Sequence, residues 1–282
     1  DGVFRSAGET ILGADNKAAV AVFMELVARH ARQPPPVGIE LVLTVAEEQG
    51  LRGAKALDTS ALRADCGFIL DHASAVGEVI VGSPTQQRIV ADFHGVEAHA
   101  GIRPEDGNNA IAAAAAAIAR MELGRLDEET TANVGVIEGG TSGNVVPGHC
   151  RIVAEARSID AGRAAEVAGA LSDACAWGAS AHGCDADVRI EELFRGYRIP
   201  PSSGALELAE AGLRRAGYEP VRTVTGGGSD VNALVLAGLD CVLLANGTEA
   251  NHTPQESVTA RNLDAMLEVC EGIVAEAAAS SR

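Results

Sequence analysis

Asp15, Glu47, Glu48, Asp71 and His252 are residues of the types that hold a divalent cation and activate a water beside it. Carboxylate oxygens and imidazole, without thiolate, suit zinc, manganese or cobalt in a reactive site better than a structural zinc site. Glu47 and Glu48 are adjacent acids that follow the apolar run Ile39 to Val45. Consecutive strand residues face opposite ways, so both acids can serve one site only where the chain leaves strand geometry. There they can divide the work of hydrolysis, one holding a cation while the other takes a proton from water. The alternative is an ordinary solvated turn. Asp15, in Gly13-Ala14-Asp15-Asn16-Lys17, precedes a helical pattern and is either an N-cap or a carboxylate that bridges two cations. Asp71 follows the stretch Gly67 to Leu70, at a carboxyl end of the kind where open α/β sheets place their sites. His252, in Asn251-His252-Thr253-Pro254, is a loop histidine that faces either solvent or a ligand.

The elements that must position these residues follow from hydrophobic spacing. Val20, Phe23, Met24 and Val27 recur at helical intervals between 17 and 30, and Pro34-Pro35-Pro36 forbids continuation. Ile39 to Val45 reads as a buried strand, Gly53 to Leu57 as a short helix and Gly67 to Leu70 as another strand. The middle of the chain changes rhythm. Strand Arg88 to Phe93, the alanine-rich helix Asn109 to Met121, strands Asn133 to Ile137 and Arg151 to Ala156, helix Arg163 to Ala181 and strand Asp187 to Leu193 give the order β-α-β-β-α-β. That order is the ferredoxin-like motif. The alanine tract is expected to pack closely, against another subunit. After Pro200-Pro201 a helix, the turn Gly226 to Gly228, a helix from Val231 to Ala237, strand Cys241 to Leu244 and a final helix resume the first rhythm. The expectation is an α/β domain with a mostly parallel sheet, from residues 1–83 and 194–282, interrupted by an α+β domain at 84–193.

Composition removes several classes of function. The net charge is −17 and Lys17 and Lys55 are the only lysines, which argues against nucleic acid as a partner. No apolar run approaches the roughly 20 residues that span a bilayer, and a cytoplasmic protein is expected. The six cysteines show no Cys-x-x-Cys pair or zinc spacing and read as reduced thiols. Gly226-Gly227-Gly228-Ser229-Asp230 lacks the spacing of a nucleotide fingerprint and reads instead as a tight turn whose backbone can approach a ligand.

The stretches TILGADNKAA (Thr10 to Ala19), TVAEEQG (Thr44 to Gly50), GGGSD (Gly226 to Asp230) and His252-Thr253 resemble the M20 metallopeptidases. With Ala98-His99-Ala100-Gly101 and Glu155-Ala156-Arg157-Ser158, the sequence is most similar within that clan to the peptidase T-like aminotripeptidases. The resemblance implies a zinc-exopeptidase-like catalytic domain with an inserted lid or dimerisation domain, a homodimer, two divalent cations and a short peptide as substrate. It implies Asp15 as the bridging ligand, Glu48 and His252 on one cation, Asp71 on the other and Glu47 as general base. His99, Asn144 and Arg157 fall at substrate-contacting positions; a turn residue and a solvated strand end are the plainer alternatives for the last two. The family places a His-x-Asp motif upstream of its bridging Asp. No such motif precedes Asp15, and His30 and His72 are not followed two residues on by Asp. Either a preceding segment supplies it or half of one metal site has been lost, and weak or absent activity is expected of these 282 residues alone. Other reactions on the same scaffold are a carboxypeptidase and an N-acyl amino-acid deacylase; a non-catalytic peptide- or metal-binding protein is the alternative outside enzymes.

Overall fold

The structure, a computed structural model, describes residues 2–280. The chain divides into two compact units, one formed by Asp1–Ser83 with Tyr197–Arg282 and the other by Pro84–Gly196. The first begins with β1 (Val3–Arg5), α1 (Ala14–Arg32), α2 (Arg52–Ala56), β2 (Cys66–His72) and β3 (Glu78–Ser83). The second contains β4 (Thr85–His94), β5 (Ala98–His99), α3 (Ala110–Arg120), β6 (Gly124–Arg125), β7 (Thr130–Gly139), β8 (Val145–Val146), β9 (His149–Ser158), α4 (Ala161–Ala181) and β10 (Asp185–Phe194). The first then resumes with β11 (Tyr197–Arg198), α5 (Gly204–Arg215), β12 (Val221–Val224), α6 (Asp230–Leu236), β13 (Asp240–Ala245), β14 (Ser257–Thr259) and α7 (Ala260–Ser280).

The first unit is built on a mixed sheet in the order β11-β3-β13-β2, with β12 joined to β3. Its longer ladders, β13 on β2 and β12 on β3, are parallel. β13 carries Cys241, Val242, Leu243 and Leu244, all buried. A continuous apolar run of this kind is what a strand covered on both faces requires. Ala18, Ala19, Val22 and Leu26 of α1, Leu206 and Leu213 of α5, and Met266 and Ile273 of α7 complete that core. Because β2 and β13 run parallel, their carboxyl ends open on one rim.

One expectation for this unit fails, and the helix expected over 17–30 forms with a different face inward. Ile39 to Val45 is neither strand nor buried: it joins no ladder among the described residues, and Leu43 and Val45 are 68% and 73% exposed. Branched apolar composition favours a pleated, half-buried surface only where a neighbouring strand completes it. In α1 the buried stripe is Ala18, Ala19, Val22 and Leu26, while Val20, Met24 and Val27 face outward. The helix carries two apolar stripes, and the one with small residues packs closest.

In the second unit, β10-β4-β9-β7-β6 form an antiparallel sheet that carries the ferredoxin-like order. Ile89, Ala91 and Phe93 alternate inward along β4, as a sheet covered on one face demands. The alanine-rich helix α3 buries Ala110, Ala113, Ala114 and Ala117 within this unit. Its tight partner is α4, where Gly178 lies so close that a Cβ would sit 2.6 Å from the Ala113 carbonyl oxygen. The buried small residues of α3 therefore serve a contact inside the chain.

Candidate active site

Asp15 lies in a turn that enters α1. Gly13 adopts a left-handed φ of 72°, and Asp15 and Asn16 depart from helical geometry before the helix proper begins. The Asp15 carboxylate points to another loop rather than back to the helix. Its Oδ2 accepts a hydrogen bond from Asn251 Nδ2 at 3.0 Å and lies 3.1 Å from His252 Nε2. The backbone amides of Gly13 and Asp15 donate to the two carboxylate oxygens of Glu256, at 2.6 and 2.8 Å.

Glu47 and Glu48 open a one-turn 3-10 helix, Glu47–Gln49, entered through Ala46 at a φ of 56°. That turn, rather than a strand end, brings adjacent acids to one place. Glu47 is half-buried and Glu48 exposed, with Glu48 Oε1 2.8 Å from His252 Nε2. His252 itself holds a φ of 63° and follows Ala250 at 53°. Non-glycine residues in the left-handed region cost free energy and concentrate at functional sites. One ligand atom each from Asp15, Glu48 and His252 falls within 4.8 Å of the others.

Asp71, near the carboxyl end of β2, lies close enough to Asp15 to feel its charge. Burial, and next the charge on Asp15, hold the Asp71 carboxyl well above the usual carboxylate range. Glu47 is raised to about 7, first by burial and then by the charges of Glu48, Asp230 and Asp15. Burial opposes a charge on His252, but Glu48 and Asp15 outweigh it and its pKa rises. Two causes act: burial raises the carboxyls of Glu47 and Asp71, and the concentration of negative charge raises these and His252.

Asp230, the last residue of the GGGSD stretch and given no role from sequence, belongs to this group. It starts α6, is buried, and accepts a hydrogen bond from the Thr44 hydroxyl. Burial raises its carboxyl, against the pull of Thr44. Its position after a tight turn was the available signal. Nothing in the spacing of Thr44 or Glu256 marked them.

A model of the M20 peptidase dimerisation domain matches residues 86–182, and one of the M42 glutamyl aminopeptidases matches residues 8–89. The uncharacterized Bacillus subtilis (strain 168) protein YqjE is 39% identical over 279 residues, 99% of this chain and 75% of that protein. The chain is also similar to two crystal structures. Aminopeptidase PepT from Bacillus cereus is 40% identical with a TM-score of 0.87, the match covering 97% of this chain and 74% of that one. A tripeptidase from Staphylococcus aureus is 38% identical with a TM-score of 0.94, covering 99% and 74%. The chain belongs to the M20 peptidases, in their peptidase T-like branch.

In this M20 peptidase the remaining residues singled out from sequence lie in the second unit. β5 pairs with β8, which sets His99 opposite Val145, and the Ala100 amide donates to the Asn144 carbonyl at 2.9 Å. His99, at the end of β5, and Asn144, just before β8, are thus exposed near neighbours. Arg157, on β9, is gripped by Glu155 through Nε and Nη2 at 3.0 and 3.1 Å. All six cysteines are free thiols. Among the described residues no helix is long and apolar enough to cross a membrane.

The donor set of this peptidase fits a divalent cation. Two carboxylates and an imidazole converge, the Asp71 carboxyl lies beside Asp15, and the buried Asp230 Oδ1 has no hydrogen-bond partner. Oxygen-rich ligation with imidazole suits zinc, manganese or cobalt.

Proposed function

We propose that this M20 peptidase is a metal-dependent aminopeptidase that removes the N-terminal residue of short peptides, with tripeptides as its preferred class. The observation that carries this reading is the convergence of Asp15, Glu48 and His252 within 4.8 Å, with Glu47, raised to about 7, beside them. Asp15, Glu48, Asp71 and His252 would hold two cations, of which zinc fits first and manganese or cobalt next, with Asp15 shared between them. When bound, the cations supply Lewis-acid activation of water and of the scissile carbonyl.

Glu47 acts as general base. A carboxylate near neutrality both accepts a proton from water and returns it, which is the compromise that acid–base catalysis favours. The water oxygen bonds to the carbonyl carbon and its proton passes to Glu47. As the C–N bond breaks, the same proton goes to the leaving amine. His99 and Asn144 are assigned to the substrate, His99 as a donor to the developing oxyanion. Arg157 would exchange its Glu155 partner for a peptide carboxylate. The family match over residues 86–182 supports a homodimer through the inserted domain, 84–193.

The test is turnover by the protein as encoded of free-amine tripeptides against the same peptides N-acetylated and against acylated amino acids. Chelator-sensitive cleavage of the free-amine series is expected. A preference for acylated substrates would reassign the reaction to deacylation, and release of C-terminal residues to carboxypeptidase action. Absence of chelator-sensitive hydrolysis in every series would overturn the enzymatic mechanism.

A further inference from the structure

Glu256 is 1% exposed, a rare position for a carboxylate unless its charge is compensated. The compensation comes from backbone: Gly13 and Asp15 each donate an N–H to one oxygen of the carboxylate, at 2.6 and 2.8 Å. Hydrogen bonds to an ionised acceptor are about twice as strong as neutral ones. Both donors belong to the turn that presents Asp15, and one is the amide of Asp15 itself.

The same glutamate closes the loop that carries His252. Its amide donates to the Thr253 carbonyl at 3.1 Å, and the Thr253 hydroxyl donates to the Ala250 carbonyl at 2.7 Å. Immediately after it, β14 is fixed against β1. We propose that Glu256 is a positioning residue, which ties the Asp15 turn to the His252 loop and sets the spacing at which residues from distant parts of the chain serve one cation. This inference rests on the metallopeptidase reading given above. A carboxylate has two equivalent acceptors and can grip two amides at once; glutamine would offer one oxygen and turn an NH2 group toward the other N–H. Residues that orient ligands without touching the ion commonly change metal affinity by about 10–100-fold when replaced.

The experiment compares wild type, Glu256→Gln and Glu256→Asp in the protein as encoded. It combines titration with Co2+, followed by visible absorption, with backbone hydrogen exchange of the peptide containing Gly13 and Asp15. E256Q is expected to bind Co2+ about 10–100-fold more weakly with an altered spectrum. Exchange at 13–15 should be faster in that variant, while β13 and α7 exchange as in wild type. E256D keeps the charge on a shorter arm and should recover part of the affinity. Co2+ affinity in E256Q within about twofold of wild type, with the wild type binding normally, would overturn the positioning role alone. Should E256Q fail to fold, E256D decides: a weakened affinity with wild-type exchange in β13 supports the role, and an unchanged one overturns it. A wild type that binds no Co2+ would instead overturn the metallopeptidase reading, and the positioning role with it.

Discussion

Glu47 shows how one side chain can be tuned by its neighbours. Burial and the charges of Glu48, Asp230 and Asp15 raise it to about 7 from an ordinary 4.5. Replacing it with glutamine removes the proton acceptor while keeping shape. Glu47→Gln is expected to lower kcat by about 100–10,000-fold in steady-state assays, with Co2+ affinity near wild type. The raised pKa also has a sign in stability. A group whose folded pKa lies above its unfolded one contributes stability that is full below the unfolded value and lost as pH rises through the folded one. Asp71, Asp230 and His252, all raised, act in the same sense. Chelated protein should therefore show a Tm that falls as pH rises from about 5 to about 8, with added zinc cancelling most of the fall. A flat Tm profile by calorimetry would count against this charge cluster. Asp15, Glu48, Asp71 and His252 were legible from sequence because their chemistry stands out at element boundaries. Thr44 and Glu256 were not, since they act through a carboxylate and a pair of backbone amides that spacing does not display.

At the scale of elements, close packing sets the limits. α3 and α4 approach through alanine and glycine, and a methyl group on Gly178 would meet the Ala113 carbonyl oxygen at 2.6 Å and the Ala117 Cβ at 2.8 Å. Gly178→Ala should destabilise the protein by about 1–3 kcal/mol, because backbone cannot yield as a flexible side chain does. Thermal unfolding measures it. Helix propensity alone would predict a gain from the same change, so the sign discriminates. The ferredoxin-like order was readable because strands such as β4 alternate inward and outward with period two. Ile39 to Val45 misled for a related reason: an apolar run states that a residue prefers a neighbour, not that the fold supplies one. β3 went unrecognised because Glu78 to Ser83 is interrupted by Gly82 and ends at a Ser-Pro step.

For the whole molecule, surface composition makes a separate prediction. Against a net charge of −17, Leu41, Val42, Leu43 and Val45 form an exposed apolar segment, and Val20, Met24 and Val27 leave an apolar stripe on α1. Exposed apolar patches bind hydrophobic partners and dyes. The 282-residue chain should enhance the fluorescence of an anionic hydrophobic dye in spite of its charge. Leu43→Glu with Val45→Glu should reduce that signal by about half or more if this segment is the seat. An unchanged signal would place the dye elsewhere.

The bond from Asp15 to Glu256 spans 241 positions, and the inserted unit lies between its ends. Contacts so distant in sequence form late, since the intervening chain must first lose its freedom. The inserted unit has its own core and can fold while the ribosome is still translating the C-terminal part of the chain. The rim that gathers the acids cannot close until the loop at 250–256 has emerged and docked. The candidate site of this peptidase is thus assembled only after the C-terminal part of the chain has been made.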